Sequence, residues 1–362
     1  MKEAKTATQN VTWGVSVVVC CHNSAARLPQ TLAHLQAQQV PSGFCWEVIV
    51  VDNASTDDTS NVAKTLWGEC ASAPLLIVKE PKLGLSHARM RGIESARYEL
   101  VSFVDDDNWL APNWISVAFQ IMTEHPEVGA CGGSGEAVFQ VDPPAWFPQF
   151  EHAYAVGKQS SRYDDITEIT DWGESQLWGA GLTIRVSAWK DIHSKGFKVL
   201  LKGRTGKVLI SGEDYEICNA LRLAGWHLWY APTLRFQHYI PEQRLTWSYL
   251  LKLHRGFGFS NAKLDAYRMQ FKHSGISNSK ILGYYWINQV ARSLFHICVL
   301  IPFKILKEKD FYWKGNKYIV SWNFIFARML GILSLHKNYD DQIEVIRKTP
   351  WNRQGILKNE QN

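Results

Sequence analysis

The chain has 362 residues, 46% apolar and 20% charged, which is enough to build a large core and excludes global disorder. Its 25 Gly and 13 Pro exclude collagen-like and linker-like chains. The net charge of +5 is unevenly placed. Residues 1–239 carry 20 Lys and Arg against 26 Asp and Glu, and residues 240–362 carry 19 against 8, so an anionic partner is expected for the last third alone. Cys20, Cys21, Cys45, Cys70, Cys131, Cys218 and Cys298 form no CxxC pair and read as buried thiols in a reducing compartment. Residues 1–10 are polar, so no signal peptide is expected.

The first hundred residues alternate between two periodicities. Continuous apolar runs predict strands at 15–20, 47–51, 75–78 and 100–104. Helical spacing predicts helices at 27–38, from a cap at Ser55 or Thr56 to Leu66, and at 85–97. This is a βαβ pattern with a parallel sheet buried on both faces. Right-handed crossovers put every strand's carboxyl end on one edge, where such sheets bind ligands. His22–Asn23, Asp52–Asn53 and Asp105–Asp106–Asp107 follow three of the strands and so converge there. Asp52 and its neighbours also suit a turn or helix cap. Three consecutive carboxylates repel one another, and a bound cation offsets that cost. Asp105 and Asp107, two residues apart, point to one side of an extended chain.

Further along, a helix is predicted at 109–124, a glycine-punctuated strand at 128–135, a loop at 142–173 and a strand at 177–185. Gly212-Glu213-Asp214 opens a helix over 215–224, and strands follow at 226–231 and 234–238. Trp178-Gly179-Ala180-Gly181 offers a flat ring and room for a sugar to approach the backbone. Residues 281–303 and 319–335 are the most apolar, but the first contains Asn288, Gln289, Arg292 and His296 and ends at Pro302. The basic, aromatic segment 304–317 lies between them. Helices lying on an anionic membrane surface are expected, with a plain helical cap and a spanning pair as alternatives.

Five segments, in order, resemble the GT-A nucleotide-diphospho-sugar glycosyltransferases of family 2. They are Ser16-Val-Val-Val-Cys-Cys-His-Asn23, Val50-Val-Asp-Asn-Ala-Ser-Thr-Asp57, Gly84-Leu-Ser-His-Ala-Arg-Met-Arg-Gly92, Phe103-Val-Asp-Asp-Asp-Asn108 and Gly212-Glu-Asp-Tyr-Glu216. The resemblance covers residues 14 to about 260. Cys-Cys-His replaces a more usual Pro-x-Tyr, Asn53 replaces an Asp, and Met90 replaces an Asn. Gln243-Arg-Leu-Thr-Trp247 is similar to the signature of processive synthases, but Thr246 stands where that signature has Arg.

The resemblance implies an α/β GT-A fold, a Rossmann-like, mostly parallel sheet with flanking helices plus a C-terminal helical appendage. It implies a catalytic domain at 1–240, with a donor half at 14–110 and an acceptor half at 111–240, and a basic helical region at 241–362. Asp52 is then assigned to a uracil-like base, His22 and Asn23 to the nucleoside floor, and Arg89 to base or phosphate. Mg²⁺ or Mn²⁺ is implied, with Asp107 as direct ligand, Asp105 on ribose or a metal-bound water, Asp106 contributing and His238 completing the site. Asp214 is implied as the base, Glu213 as acceptor contact or Asp214 orienter, and Trp178–Gly179 as acceptor surface. The expected activity is inverting transfer from a UDP-sugar or related donor to a saccharide or lipid-linked acceptor in surface-glycan synthesis. The expected place is cytoplasmic, peripheral on the cytoplasmic face of the membrane, with no nucleic-acid partner. A retaining transferase and a catalytically inactive sugar-nucleotide-binding protein are the alternatives. A dinucleotide oxidoreductase is disfavoured, because no glycine follows the first strand.

Overall fold

The computed structural model describes residues 12–68, 72–159, 165–169, 177–201, 203, 209–272, 285–307 and 313–353. Expectations falling on residues 1–11, Cys70, parts of the 142–173 loop, residues 281–284, Lys309 and Phe311 lie outside the described residues.

The first half follows the βαβ pattern. Strands β1 (Val15–Cys21), β2 (Trp46–Asn53), β3 (Leu75–Glu80) and β4 (Leu100–Asp105) alternate with α1 (Leu28–Gln36), α2 (Thr59–Trp67) and α3 (Leu85–Ser95). The strands pair in parallel in the order β3-β2-β1-β4. β2 is buried throughout and β1 nearly so, which is why both read as continuous apolar runs, while edge strand β3 is only half-buried. Helix α3 lies against β1 at Gly92, where a Cβ would sit 2.3 Å from Val18. Only glycine admits that approach. Helix α2 starts later than expected, at Thr59, because Ser55 is used in the turn that ends β2.

The second half is mixed. It comprises β5 (Asn108–Leu110), α4 (Trp114–Glu124), β6 (Val128–Phe139), α5 (Phe147–Phe150), β7 (Thr167–Glu168), β8 (Thr183–Arg185), α6 (Val186–Ser194), α7 (Glu213–Leu223) and β9 (His227–Ile240). The sheet continues β4-β8-β6-β9-β5, with β7 on β9. Three expectations change here. Residues 108–110 are a strand rather than the start of a helix. The strand expected at 177–185 shrinks to β8, because Gly181 turns the chain at φ +71°. The two strands expected after residue 226 are one, β9, which bulges at residues 231–234 around Pro232 where its pairing with β6 shifts from Gly132–Tyr230 to Ser134–Arg235.

Helices α8 (Trp247–Lys272), α9 (Tyr285–Leu306), α10 (Lys317–Leu335) and α11 (Tyr339–Lys348) follow. Asp265 of α8 ties them together, accepting from Arg328 Nη2 at 2.5 Å and Tyr339 Oη at 2.7 Å. One apolar core runs from Val18, Ile49 and Phe103 through Ile217 and Leu221 of α7 to Tyr267, Ile332, Ile343 and Trp351. Trp351 is buried against the rings of Phe197 and Tyr267. Helices α9 and α10 are each long and apolar enough to cross a membrane by length and composition. Helix α10 buries Ile319, Val320, Ala327, Met329 and Ile332, whereas α9 exposes Ile287, Leu294, Phe295, Val299, Phe303 and Leu306. Of the described cysteines, Cys21, Cys131 and Cys218 are buried, but Cys45 and Cys298 are exposed, contrary to expectation.

Candidate active site

The carboxyl ends of β1, β2 and β4, the start of α7, the end of β9 and one side of α8 enclose a cavity of about 500 Å³. That volume suits a nucleotide-sized ligand. Cys20, His22, Asn53, Arg89, Asp105, Asp106, Asp107, Trp178, Gly179, Glu213, Asp214 and His238 all line it, so most of the sequence-derived candidates converge. Burial pushes the Cys20 thiol up to about 12, which keeps it neutral.

The nucleoside end differs from expectation. Asp52 and Asn23 do not line the cavity. Asp52 Oδ1 accepts from Ser55 N at 3.1 Å and Oδ2 from Ser60 Oγ at 2.5 Å, so its carboxylate closes the turn after β2. Burial raises its pKa, but these donors outweigh burial and hold it below the usual carboxylate value. Asn23 Oδ1 likewise accepts from Thr56 N at 2.8 Å. Asn53 takes the place on the cavity. Its amide donates to Glu80 O at 3.0 Å and Lys82 O at 2.7 Å, and its oxygen accepts from Gly84 N at 2.8 Å. An Asp there would have nothing to donate. His22 Nδ1 lies 2.8 Å from Asn53 O, which orients its ring beside it.

The three aspartates part company. Asp105, at the tip of β4, keeps a half-buried carboxylate 4.0 Å from Arg89 Nη2. Asp106 is committed to α1: Arg27 Nη2 donates to it at 2.5 Å, Ser24 Oγ also donates, and Thr31 Oγ1 holds its backbone oxygen at 2.9 Å. Burial and the neighbouring Asp107 charge raise its pKa. Its expected donor contact therefore gives way to a structural one. Asp107 meets Arg244 Nη1 at 2.9 Å and His238 Nε2 at 3.5 Å. Despite burial, Arg244 first and His238 second hold it far below the usual carboxylate range. The β5–β9 pairing, which sets Asn108 opposite His238, creates this meeting. His238 Nδ1 is 2.6 Å from Tyr154 O, which can only accept, so Nδ1 carries a proton and Nε2 is the nitrogen turned toward Asp107.

At the far wall, Asp214 Oδ2 accepts from Gly179 N at 2.7 Å. Glu213 is buried, and Arg89 Nη1 donates to its Oε1 at 3.0 Å while Gly212 N donates to Oε2 at 3.1 Å. Arg89 is also buried. Desolvation would lower its pKa, but Glu213 and Asp105 hold it charged. Arg89 and Glu213 thus join α3 to α7 while both still line the cavity. Gly179 gives room to Arg89, since a Cβ would lie 2.2 Å from its Nη2. Trp178 is only 7% exposed, and its backbone N–H donates to Gln159 Oε1 at 2.9 Å, so little of its ring is offered to a sugar.

Two residues of the site were missed in the sequence. Arg244 was passed over inside Gln243–Trp247, although it follows His238 by six residues. Glu216, two residues beyond Asp214 on the same helix, accepts from Leu200 N, Leu201 N and Tyr267 Oη at 2.8, 2.9 and 2.7 Å. It fixes the chain that runs into the cavity wall.

A parallel half-sheet with acidic strand ends, continued by a mixed half-sheet that carries a Glu-Asp helix start, is the GT-A arrangement. The chain is a glycosyltransferase. Its residues 16–175 match the model of Glycosyl transferase family 2. It is 20% identical over 254 residues to a glucosyl-dolichyl phosphate glucuronosyltransferase of Haloferax volcanii, covering 69% of this chain and 77% of that one. It is 23% identical over 262 residues to the succinoglycan biosynthesis protein ExoM of Rhizobium meliloti, covering 71% and 77%. The crystal structure of S. aureus TarS 1–349 in complex with UDP overlaps it with a TM-score of 0.49 at 17% identity, over 92% of this chain and 91% of that one.

Proposed function

We propose that the chain transfers a sugar, with inversion, from a nucleoside-diphosphate donor to the hydroxyl of a saccharide or lipid-linked saccharide. The observation that carries this reading is Asp105 and Asp107 facing the same cavity as Asp214. A UDP-sugar is the favoured donor, following the family resemblance. The relatives' printed roles, on a dolichyl-phosphate-linked sugar and in succinoglycan synthesis, support the acceptor class.

The donor chemistry suits a hard divalent cation, with oxygens from Asp105 and Asp107 and a nitrogen from His238 Nε2, although among the described residues no three such side chains are grouped closely enough to hold an ion as they stand. These three residues would hold Mg²⁺ or Mn²⁺, which when bound offsets charge developing on the leaving diphosphate. Asp214 acts as the base that takes the acceptor's proton, as an alcohol far above pH 7 in pKa requires. Its Oδ2 is oriented by the Gly179 N–H, and α7 is held in place through Glu213 and Arg89. Asn53 and His22 line the nucleoside end and hold the 80–84 turn beside it.

The exposed apolar face of α9, with Lys304 and Lys307 at its end, supports peripheral docking on an anionic membrane surface.

Donor-dependent release of nucleoside diphosphate tests the reading. Asp214→Asn should bind donor as the wild type does and lose about 10²–10⁴-fold in kcat. An equal loss of donor affinity would move Asp214 to the donor site, and normal turnover would remove it from the mechanism.

A further inference from the structure

The cavity carries four arginines, and each has a carboxylate. Arg27 holds Asp106 at 2.5 Å, Arg89 holds Glu213 at 3.0 Å, Arg268 lies 3.5 Å from Asp265, and Arg244 holds Asp107 at 2.9 Å. The first three pairs tie the start of α1 to the turn after β4, brace α3 against α7 and tighten a turn of α8. Arg244 differs in its position. Its Nη1 is also 3.4 Å from His238 Nε2, and that nitrogen is 3.5 Å from Asp107 Oδ1. The guanidinium therefore stands between the two side chains that a divalent cation would join.

The anchoring of the three groups is unequal. Asp107 sits in a strand-to-strand turn, with its backbone oxygen bonded to Tyr239 N at 2.9 Å. His238 is fixed through Tyr154 O. Arg244 comes from a short turn, Glu242–Arg244, its backbone N–H donating to Pro241 O at 2.9 Å and its backbone oxygen accepting from Tyr154 Oη at 3.0 Å. Its side chain is 22% exposed, against 4% for Asp107 and 11% for His238. The carboxylate and imidazole are the more deeply buried, and the arginine side chain keeps the largest exposed share of the three.

We propose that Arg244 is the resident counter-ion of Asp107, and that its guanidinium and a divalent cation take the place between Asp107 and His238 alternately. The inference rests on the metal reading above. Two cations sharing one buried carboxylate repel strongly where water is scarce, so the ion gains its place only as the arginine leaves. The donor-free protein then binds metal weakly. A displaced guanidinium is left in the cavity where a diphosphate arrives, and this couples metal and donor binding, each tightening the other.

Mn²⁺ binding to the donor-free protein tests this, followed by electron paramagnetic resonance of free Mn²⁺. Arg244→Gln removes the charge and keeps an N–H for Asp107; Arg244→Met removes both; Arg244→Lys keeps the charge. The neutral variants should bind Mn²⁺ about tenfold or more tightly than wild type, and Arg244→Lys should stay close to wild type. Adding Asp107→Asn to Arg244→Gln should abolish the gain. A purely structural arginine would leave the neutral variants with unchanged or weaker Mn²⁺ binding, and that result overturns the proposal. Should one neutral variant fail to fold, the other carries the comparison. If wild type binds Mn²⁺ and the neutral variants bind it no better, the competition fails while the metal reading stands. If none of the proteins binds Mn²⁺, even with nucleotide-sugar present, both fail.

Discussion

Replacing Gly179 by Ala tests whether the Arg89–Glu213 pair sets the catalytic helix. The new Cβ would lie 2.2 Å from Arg89 Nη2 and 2.8 Å from both Cζ and Nη1, far inside contact distance. The guanidinium must retreat by about 1 Å or more to restore a normal separation. It has little room, being 3% exposed and 3.0 Å from an equally buried Glu213. Overpacking a filled site costs about 1–3 kcal/mol. Removing one partner of a buried ion pair costs about 3–5 kcal/mol. One motion produces both effects, so they do not add, and a loss of about 2–4 kcal/mol is expected. Urea unfolding measures it. Turnover should fall as well, because the Gly179 N–H also orients Asp214. The decisive comparison is a double-mutant cycle. With Arg89→Met already present, the shorter side chain leaves room, and Gly179→Ala should add about 1 kcal/mol or less. Fully additive costs, or a Gly179→Ala protein within about 0.5 kcal/mol of wild type, would refute the reasoning.

Glu216 should make stability pH-dependent. Burial pushes its carboxyl up to about 7, above the unfolded value of 4.5, so its contribution is fully present below about pH 4.5 and is lost as pH rises through about 7. Relative to Glu216→Gln, wild-type stability in urea should therefore fall between those pH values, and a difference that is flat or rising would contradict it. Neutralising Lys304, Lys307, Lys314 and Lys317 together should release the protein from anionic vesicles in a sedimentation assay, at about 1 kcal/mol per charge. High salt should mimic the change. Wild-type protein that ignores such vesicles at low salt would rule out surface docking, and retention through alkaline carbonate would indicate insertion.

The donor half was legible because its strands are buried on both faces and its ligands follow strand ends. Asp105 and Asp107 could be placed from that rule alone. What the rule misses is competition for a side chain after folding. Asp52 and Asp106 sit at the right edge, yet neighbouring hydroxyls and Arg27 claim their oxygens. Arg89 and Glu213 were found as charged residues near the edge, but their pairing spans 124 residues and depends on Gly179 leaving space. Arg244 was hidden for a similar reason. Its contact with Asp107 arises from the register of β5 on β9, which no local pattern encodes. The boundary errors, at 108–110, 177–182 and 232–233, fall where a short strand, a glycine turn and a bulge break a simple period.

Trp351 gives the far end of the described chain a bearing on the reaction. Its ring packs beside Tyr267, whose hydroxyl holds Glu216, two residues beyond Asp214 on the same helix. It also meets Phe197, which precedes the Leu200–Leu201 strap that Glu216 fixes. The catalytic helix is thus braced from behind by a residue 137 positions later in the sequence than Asp214. Shortened versions of the chain designed around the family-matched segment would lose that brace, and a defect in turnover would then be misread as evidence about the active-site residues themselves.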